Sequence, residues 1–193
     1  MTGTPEAPRR REQILATAAE LFASRGFHGV SVADLGAACG ISGPALYKHF
    51  PSKDAMLSEM LVDISEELLR VGRERSDAAG DPEAAVRALV AWHVEFALHH
   101  KPLIVVQDRD WASLPADARD RVRGLQRSYV DVWADRLREL HVGLDARRAR
   151  AMAHATFGLL NSTPHSALLP EDEMAATLRQ MALGALGVAT RAP

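Results

Sequence analysis

The sequence predicts an all-α fold, and three observations carry the prediction. Apolar residues recur at helical spacing along most of the 193-residue chain, and no stretch shows a convincing strand pattern. Aromatic residues are only 5% of the chain against 47% hydrophobic, so the core must rest on Leu, Val, Ala and Met, residues that suit helices. Start and stop signals, namely Ser or Asp before a periodic run and Gly or Pro after it, divide the chain into about nine helices.

Residues 1–8 carry two prolines and no periodicity and read as a disordered tail. The first helix runs from Arg9 to Arg25, with Ile14, Ala18, Leu21 and Phe22 on one face; Gly26 ends it and Phe27 folds back on its last turn. Ser31-Val-Ala-Asp34 has the spacing of a capping box and starts a short second helix that stops at Cys39-Gly40. Ser42 starts a third, with Pro44 in the first turn, where no intrahelical N–H bond is lost, and it ends near Phe50-Pro51. Ser52 caps a long fourth helix with the stripe Leu57, Met60, Leu61, Ile64, Leu68, Val71, reaching about Arg75.

After the loop Asp77–Pro82, a fifth helix to about His100 buries Val86, Leu89, Val90, His93, Phe96 and Ala97. Lys101-Pro102 breaks it. A sixth continues to about Ser113, and its opening Leu103-Ile-Val-Val106 is read as helix from its surroundings. The seventh spans Ala116 to about His141, with Val122, Leu125, Tyr129, Val132, Trp133, Leu137 and Leu140 on one face. The eighth runs from Asp145 to near Asn161, and the ninth from Glu171 to about Ala189.

Composition bounds the function. Charged residues at 25% are ordinary for a globular chain. One cysteine, Cys39, excludes an intramolecular disulfide and fits a cytoplasmic setting. Neither a leader-like apolar block nor a membrane-length span stands out, so no membrane partner is expected. Net charge is −2, but residues 1–53 hold six Lys/Arg (Arg9, Arg10, Arg11, Arg25, Lys48, Lys53) against four acids (Glu6, Glu12, Glu20, Asp34), which leaves the remainder acidic. A basic head on an acidic body fits a small nucleic-acid-binding unit carried by a larger one. The natural seam lies at residues 50–55, giving a head over 1–53 and a body over 54–193. Gly-rich phosphate loops, a G-x-S-x-G elbow and an H-E-x-x-H motif are missing, so no catalytic residue, metal ligand or cofactor is assigned and the chain reads as a non-enzyme.

Residues 32–50 have the layout of a helix-turn-helix, whose second helix lies in the major groove with its N-terminal residues against the base edges. Ser42, Gly43 and Ala45 keep that helix start thin, and Pro44 offers an apolar surface to a thymine methyl. Leu46 and Phe50 share a buried face, leaving Tyr47, Lys48 and His49 to reach phosphate oxygens. A lysine opening a helix opposes the helix dipole unless an anion docks there, so Ser52 and Lys53 read as a phosphate seat. Ser31 completes the expected DNA-binding set.

Val32-Ala33-Asp34-Leu35, Gly40-Ile41-Ser42, Leu46-Tyr47-Lys48-His49-Phe50 and Ser52-Lys53, preceded by Ile14-Leu15 through Phe22 to Arg25-Gly26-Phe27, closely resemble the DNA-binding segment of the tetracycline-repressor (TetR) family. The resemblance covers roughly residues 10–56; beyond it only length and helix count match. It implies a homodimeric bacterial transcription regulator, usually a repressor, released from operator DNA by a small effector and nucleoid-associated when bound. Many members carry a threonine where Pro44-Ala45 stands here, which shifts operator contacts towards Tyr47, Ser42 and phosphate groups.

A homodimer through the last two helices, about 145–163 and 171–189, accounts for their small and apolar residues on more than one face, among them Ala151, Ala155, Gly158, Ala176, Gly184 and Ala185; plain core packing is the alternative. For the effector, polar groups interrupting apolar faces mark His93, Phe96, His100, Gln107, Trp111, Tyr129, Phe157 and Asn161 as the candidate pocket. Each histidine also reads as an ordinary hydrogen-bonded core residue, and Trp92, Trp111 and Trp133 as core. The effector class is hydrophobic or amphipathic: an acyl-CoA, by loose similarity of His99–Asp108 to family members that answer to CoA thioesters, or a multidrug-like aromatic or macrolide. The alternative reading is a metal-responsive sensor using His93, His99, His100 and His154, although adjacent His99 and His100 point apart on a helix.

Overall fold

The computed structural model describes residues 6–166 and 168–189, and among these there is no strand. In chain order the elements are α1 (Glu6–Arg25), α2 (Val32–Ala38), α3 (Gly43–Tyr47), α4 (Lys53–Asp77), α5 (Pro82–His99), α6 (Lys101–Asp110), a 3-10 turn (Trp111–Ser113), α7 (Ala116–Leu140), α8 (Ala146–Leu160), α9 (Thr163–Ser166) and α10 (Glu171–Ala185). The expected nine helices are present, and the polar run after Leu160 adds the single turn α9.

Four boundaries differ from expectation; the third helix, expected to end near Phe50-Pro51, stops at Tyr47 with Lys48 as its C-cap. The helix expected from Arg9 starts at Glu6, so residues 6–8 of the expected disordered tail are helical; residues 1–5 lie outside the described residues. Pro8 falls in the first turn, where an absent N–H costs nothing. The sixth helix is α-helical only to Asp110 and finishes as the 3-10 turn. The last helix stops at Ala185 rather than Ala189. Gly187, at φ +72°, adopts the left-handed conformation that ends helices, Val188 N–H donates to Leu183 at 2.9 Å, and Gly187 N–H to Gly184 at 3.1 Å. Val188 is buried, which supplies the apolar contact that accompanies this kind of stop.

Packing divides the chain into two units. The first joins the described residues up to Asp63 with Pro102–Arg121; the second joins Ile64–Lys101 with the residues from Val122 onward. The seam therefore falls inside α4 rather than at its start, and α6 groups with the N-terminal helices.

The first unit is closed by Ile14, Phe22, Phe27, Leu35, Leu46, Phe50 and Leu57, all buried. Burying each is worth roughly 1.5–3 kcal/mol. Phe22 and Phe27 meet edge to face at 5.2 Å between ring centroids, so Phe27 does fold back on α1. The α2–α3 crossing depends on Gly36. A Cβ there would come within 2.8 Å of the Ile41 carbonyl oxygen, so only a residue without one allows the turn to pass this close.

The second unit has one continuous core from Leu69, Val86, Leu89, Trp92, Val130, Trp133, Leu137, Leu160 and Leu178. Trp92 is anchored by its indole N–H on the Leu68 carbonyl at 3.0 Å. On α8 and α10, Ala149, Ala153, Leu178 and Ala182 face this core, whereas Ala151, Ala155, Gly158, Ala176, Gly184 and Ala185 are exposed. No helix is long and apolar enough to cross a membrane among the described residues.

Candidate functional site

The start of α3 is built as a thin, exposed end. Ser42 is its N-cap, with Oγ accepting the Ala45 N–H at 3.3 Å, and Pro44 sits in the first turn. Leu46 and Phe50 are buried, which fixes the rotation of the helix. Ser42, Pro44, Tyr47 and Lys48 are exposed, Tyr47 to 53%, and Gly43 and His49 are half-buried. These six expected DNA-contact residues thus fall at one accessible end and flank of a five-residue helix. Ser31 is also exposed but already employed. Its hydroxyl accepts the Asp34 N–H at 3.1 Å while Asp34 accepts the Ser31 N–H at 2.9 Å, completing the capping box. These hydrogen bonds, with Arg25 nearby, hold the Asp34 carboxyl below its usual range.

Lys53 is placed differently from the expected phosphate seat. Its ammonium donates to the carbonyls of Phe27 at 2.6 Å and Val30 at 2.7 Å and lies 4.3 Å from the centre of the Phe27 ring. The turn joining α1 to α2 presents carbonyls that need donors, and Lys53 supplies them. Ser52 caps α4 by accepting the Ala55 N–H at 3.0 Å. The positive charge at the helix start is thus met by peptide oxygens and an aromatic face of the protein itself.

Arg10, Arg11 and Arg25 are employed in the same way. Arg10 donates to the Cys39 carbonyl, the C-cap of α2, at 2.6 Å. Arg11 forks onto Glu59, donates to the His49 carbonyl just past α3, and lies 4.0 Å from the centre of the Phe50 ring. Its pairing with Glu59 raises its already high pKa. Arg25 pairs loosely with Asp34 at 3.8 Å. Lys48, by contrast, has no side-chain partner among the described residues, and it stands on the exposed flank of α3.

The grip of α6 on α1 was not anticipated from sequence. Arg109 donates to the carbonyls of Phe22 and Ala23, the latter at 2.9 Å, while buried Asp110 accepts the Phe27 N–H at 3.3 Å. Ser113 Oγ meets His28 Nε2 at 2.9 Å. The unsatisfied carbonyls at a helix C-terminus attract a guanidinium, but an Arg-Asp pair does not announce which terminus it serves.

In the second unit, six of the eight expected pocket residues come together. His93 stacks on Phe157 at 4.7 Å and on Tyr129 at 5.7 Å, and meets Phe96 edge to face at 5.7 Å; Phe96 in turn contacts His100 at 5.1 Å. His93 Nε2 lies 3.1 Å from Asn161 Oδ1. Gln107 and Trp111 belong to the first unit and are not members of this cluster. Trp133, read from sequence as core, joins it at 6.0 Å from His93.

The cluster is buried yet keeps unused polarity. His93 and Tyr129 are 1% and 2% exposed, and His93 Nδ1, Tyr129 Oη and Trp133 Nε1 have no hydrogen-bond partner among the described residues. The Trp133 and Tyr129 rings adjoin at 6.1 Å without a normal hydrogen bond between their polar atoms. Burial holds the His93 imidazolium pKa down to about 4, against the weaker effect of Asn161, and pushes the Tyr129 phenol up. Burial also lowers His100. At neutral pH His93 and Tyr129 are therefore uncharged, and the cluster offers neutral donors and one imidazole lone pair. Three unsatisfied polar atoms in one core are costly, at about 1–3 kcal/mol each. Among the described residues no group of three or more His, Cys, Asp or Glu converges as a metal site, and His93 is turned to Asn161 instead.

Comparison with known proteins places these features. Residues 14–60 match the family described as bacterial regulatory proteins, tetR family, and residues 79–165 match the tetracyclin repressor-like C-terminal domain. The HTH-type transcriptional repressor KstR2 of Mycolicibacterium smegmatis is 30% identical over 138 residues, which cover 70% of this chain and 67% of that protein. A TetR-family transcriptional regulator from Bordetella parapertussis superposes with a TM-score of 0.80 at 26% identity, over 94% of this chain and 98% of its own. AibR, solved in complex with isovaleryl coenzyme A and operator DNA, superposes with a TM-score of 0.69 at 20% identity over 89% of this chain and 97% of its own, a likeness of fold. With a helix-turn-helix capped as its sequence predicted and both family regions matched in order, the chain belongs to the TetR family of bacterial regulatory proteins.

Proposed function

We propose that this protein represses transcription by binding operator DNA as a homodimer and lets go when a small hydrophobic or amphipathic effector enters its second unit. The observation that carries the reading is the free flank of α3, where Tyr47 and Lys48 stand exposed beside the thin Ser42-Gly43-Pro44 start. Ser42, Gly43 and Pro44 approach base edges, while Tyr47, Lys48 and His49 reach phosphate. Ser31 and Lys53 act through the backbone they hold rather than as open contacts.

Dimerisation is supported by the doubled use of α8 and α10. One face of each packs into the core, and the other exposes Ala151, Ala155 and Gly158 or Ala176, Gly184 and Ala185, with Met181 52% exposed beside the latter. Small residues let two copies approach closely around a two-fold axis. Two heads must then meet half-sites about 34–36 Å apart, or a multiple of that.

Release follows from differential affinity, because an effector that prefers another geometry of the body draws the dimer away from the spacing DNA requires. The orphaned polar atoms around His93 support the second unit as the effector site, and AibR's isovaleryl coenzyme A complex favours acyl-CoA chemistry among the candidates. Selection from a random duplex pool tests the operator reading. Enrichment of an inverted repeat is expected, and a pool that stays random after several rounds contradicts it.

A further inference from the structure

Adjacent arginines of α1 close the two ends of the helix-turn-helix. Arg10 donates to the Cys39 carbonyl, at the C-cap of α2, at 2.6 Å. Arg11 donates to the His49 carbonyl, one residue past the C-cap of α3. Among the described residues no backbone N–H donates to either carbonyl. Carbonyls left over where a helix ends need donors, and their partial negative charge favours a cation. The two side chains leave α1 about 100° apart, so one helix reaches the ends of both others.

Arg11 is itself braced from α4. Its Nε donates to Glu59 Oε1 at 2.6 Å and its Nη2 to Oε2, while the guanidinium lies 4.0 Å from the centre of the buried Phe50 ring. A planar fork held on a carboxylate aims its remaining donors in one direction, and here that direction is the His49 peptide. Residues of α1, α4 and the end of α3 thus meet at one guanidinium. His49 directly follows Lys48, the lysine of the free flank. A displaced His49 peptide carries Lys48 and the exposed side of α3 with it. A five-residue helix is marginal by itself, so its tilt is set by the packing of Leu46 and Phe50 and by what grips its ends.

We propose that Arg10 and Arg11 are positioning residues for operator recognition: each holds the C-terminal end of one helix of the pair, and Arg11, braced by Glu59, sets the angle at which α3 meets the base edges. The assignment rests on the reading of α3 as the operator-facing helix. It gives both arginines a part in sequence discrimination without a contact to DNA.

The test is a ratio of affinities, for the operator selected from the random pool and for a scrambled duplex of the same composition. Partial unfolding lowers both affinities alike and leaves their ratio unmoved, whereas misplacement of α3 lowers the ratio. Arg11→Met keeps the stem over Phe50 and removes the donors. It should lower the ratio about tenfold, the discrimination that one well-placed base contact supplies, with the slope of log affinity against log salt unchanged. Arg10→Met should act in the same direction. Arg11→Lys keeps the charge but offers one nitrogen where Arg11 uses three, so it should not restore the ratio. Glu59→Gln covers the case in which an arginine variant folds poorly. It removes a negative charge from the head, which by charge alone tightens both duplexes; loss of the brace should instead weaken the operator and lower the ratio. A slope lowered by about 1 in Arg11→Met and restored in Arg11→Lys would make Arg11 a phosphate contact and overturn the assignment. An unchanged ratio in both Arg11→Met and Glu59→Gln would overturn it too, with the operator reading left standing. If the unaltered protein binds no duplex, that reading fails and this assignment with it.

Discussion

Residue by residue, the head conceals its charge. Arg10, Arg11, Arg25 and Lys53 were legible as a basic cluster, yet the structure turns each onto a carbonyl, carboxylate or ring of the same unit. Lys48 keeps its ammonium free of such partners. The two lysines should therefore respond in opposite ways. Lys48→Ala should weaken duplex binding across sequences and lower the slope of log affinity against log salt by about 1, without moving the melting temperature. Lys53→Met should leave the salt slope alone and cost about 1–3 kcal/mol of stability, because the Phe27 and Val30 carbonyls lose their donor. Thermal melts and salt titrations of both variants check this; a fall in slope for Lys53→Met would restore it as a phosphate contact. Sequence exposed the residue types here but not their partners, since a lysine's four-carbon stem reaches carbonyls more than twenty residues away as easily as it reaches DNA.

At the scale of elements, the signals that sequence carried well were the local ones. The Ser31–Asp34 capping box, the Ser42 cap and the fold-back of Phe27 depend on neighbours within a few residues, and all three stand. What stayed hidden was close approach between elements. Gly36 looked like any helical glycine, but Gly36→Ala would drive a methyl against the Ile41 carbonyl and should cost about 1–3 kcal/mol. It should lower duplex affinity with the melting temperature, which calorimetry and binding assays on one preparation would show. Gly158 and Gly184 are the converse. A Cβ built at either has nothing within 4 Å, so a long side chain fits the isolated chain, and replacing a glycine in the last turn of a helix gains at most the ~1 kcal/mol of helix preference seen in helix interiors. If α8 and α10 form the dimer face, Gly158→Arg should yield a well-folded monomer by light scattering; a stable dimer with unchanged mass would remove that face from the interface.

For the molecule as a whole, charge and packing divide the chain at different places. A basic head and an acidic body were visible as a charge imbalance, but Pro102–Arg121 joins the head through Arg109 and Asp110, a long-range choice that periodicity does not encode. His93, Phe96, His100, Tyr129, Phe157 and Asn161, singled out because polar groups on apolar helix faces stand out, lie together in the second unit, whereas Gln107 and Trp111 lie in the first, because the same pattern arises wherever a helix end grips another element. The neutral cluster makes a pH prediction. His93 is held at about 4 when folded and returns to about 6.5 when unfolded, so the unfolded state binds the proton more readily between those values. Its contribution is complete above pH 6.5 and is lost as pH falls towards 4, a loss of about 3 kcal/mol. His93→Phe should flatten that part of the stability–pH curve, measured by denaturant melts from pH 7 to 4.5, and an unaltered curve would show that another group sets it.

The central claim is that the free flank of α3 meets a duplex. Fluorescence anisotropy of a labelled fragment from upstream of the protein's own gene, titrated at several salt concentrations, addresses it directly. The account predicts binding at low salt that weakens steeply as salt rises, with the slope reduced by about 1 in Lys48→Ala. Affinity for no duplex at any salt, or a slope indifferent to Lys48, would contradict it.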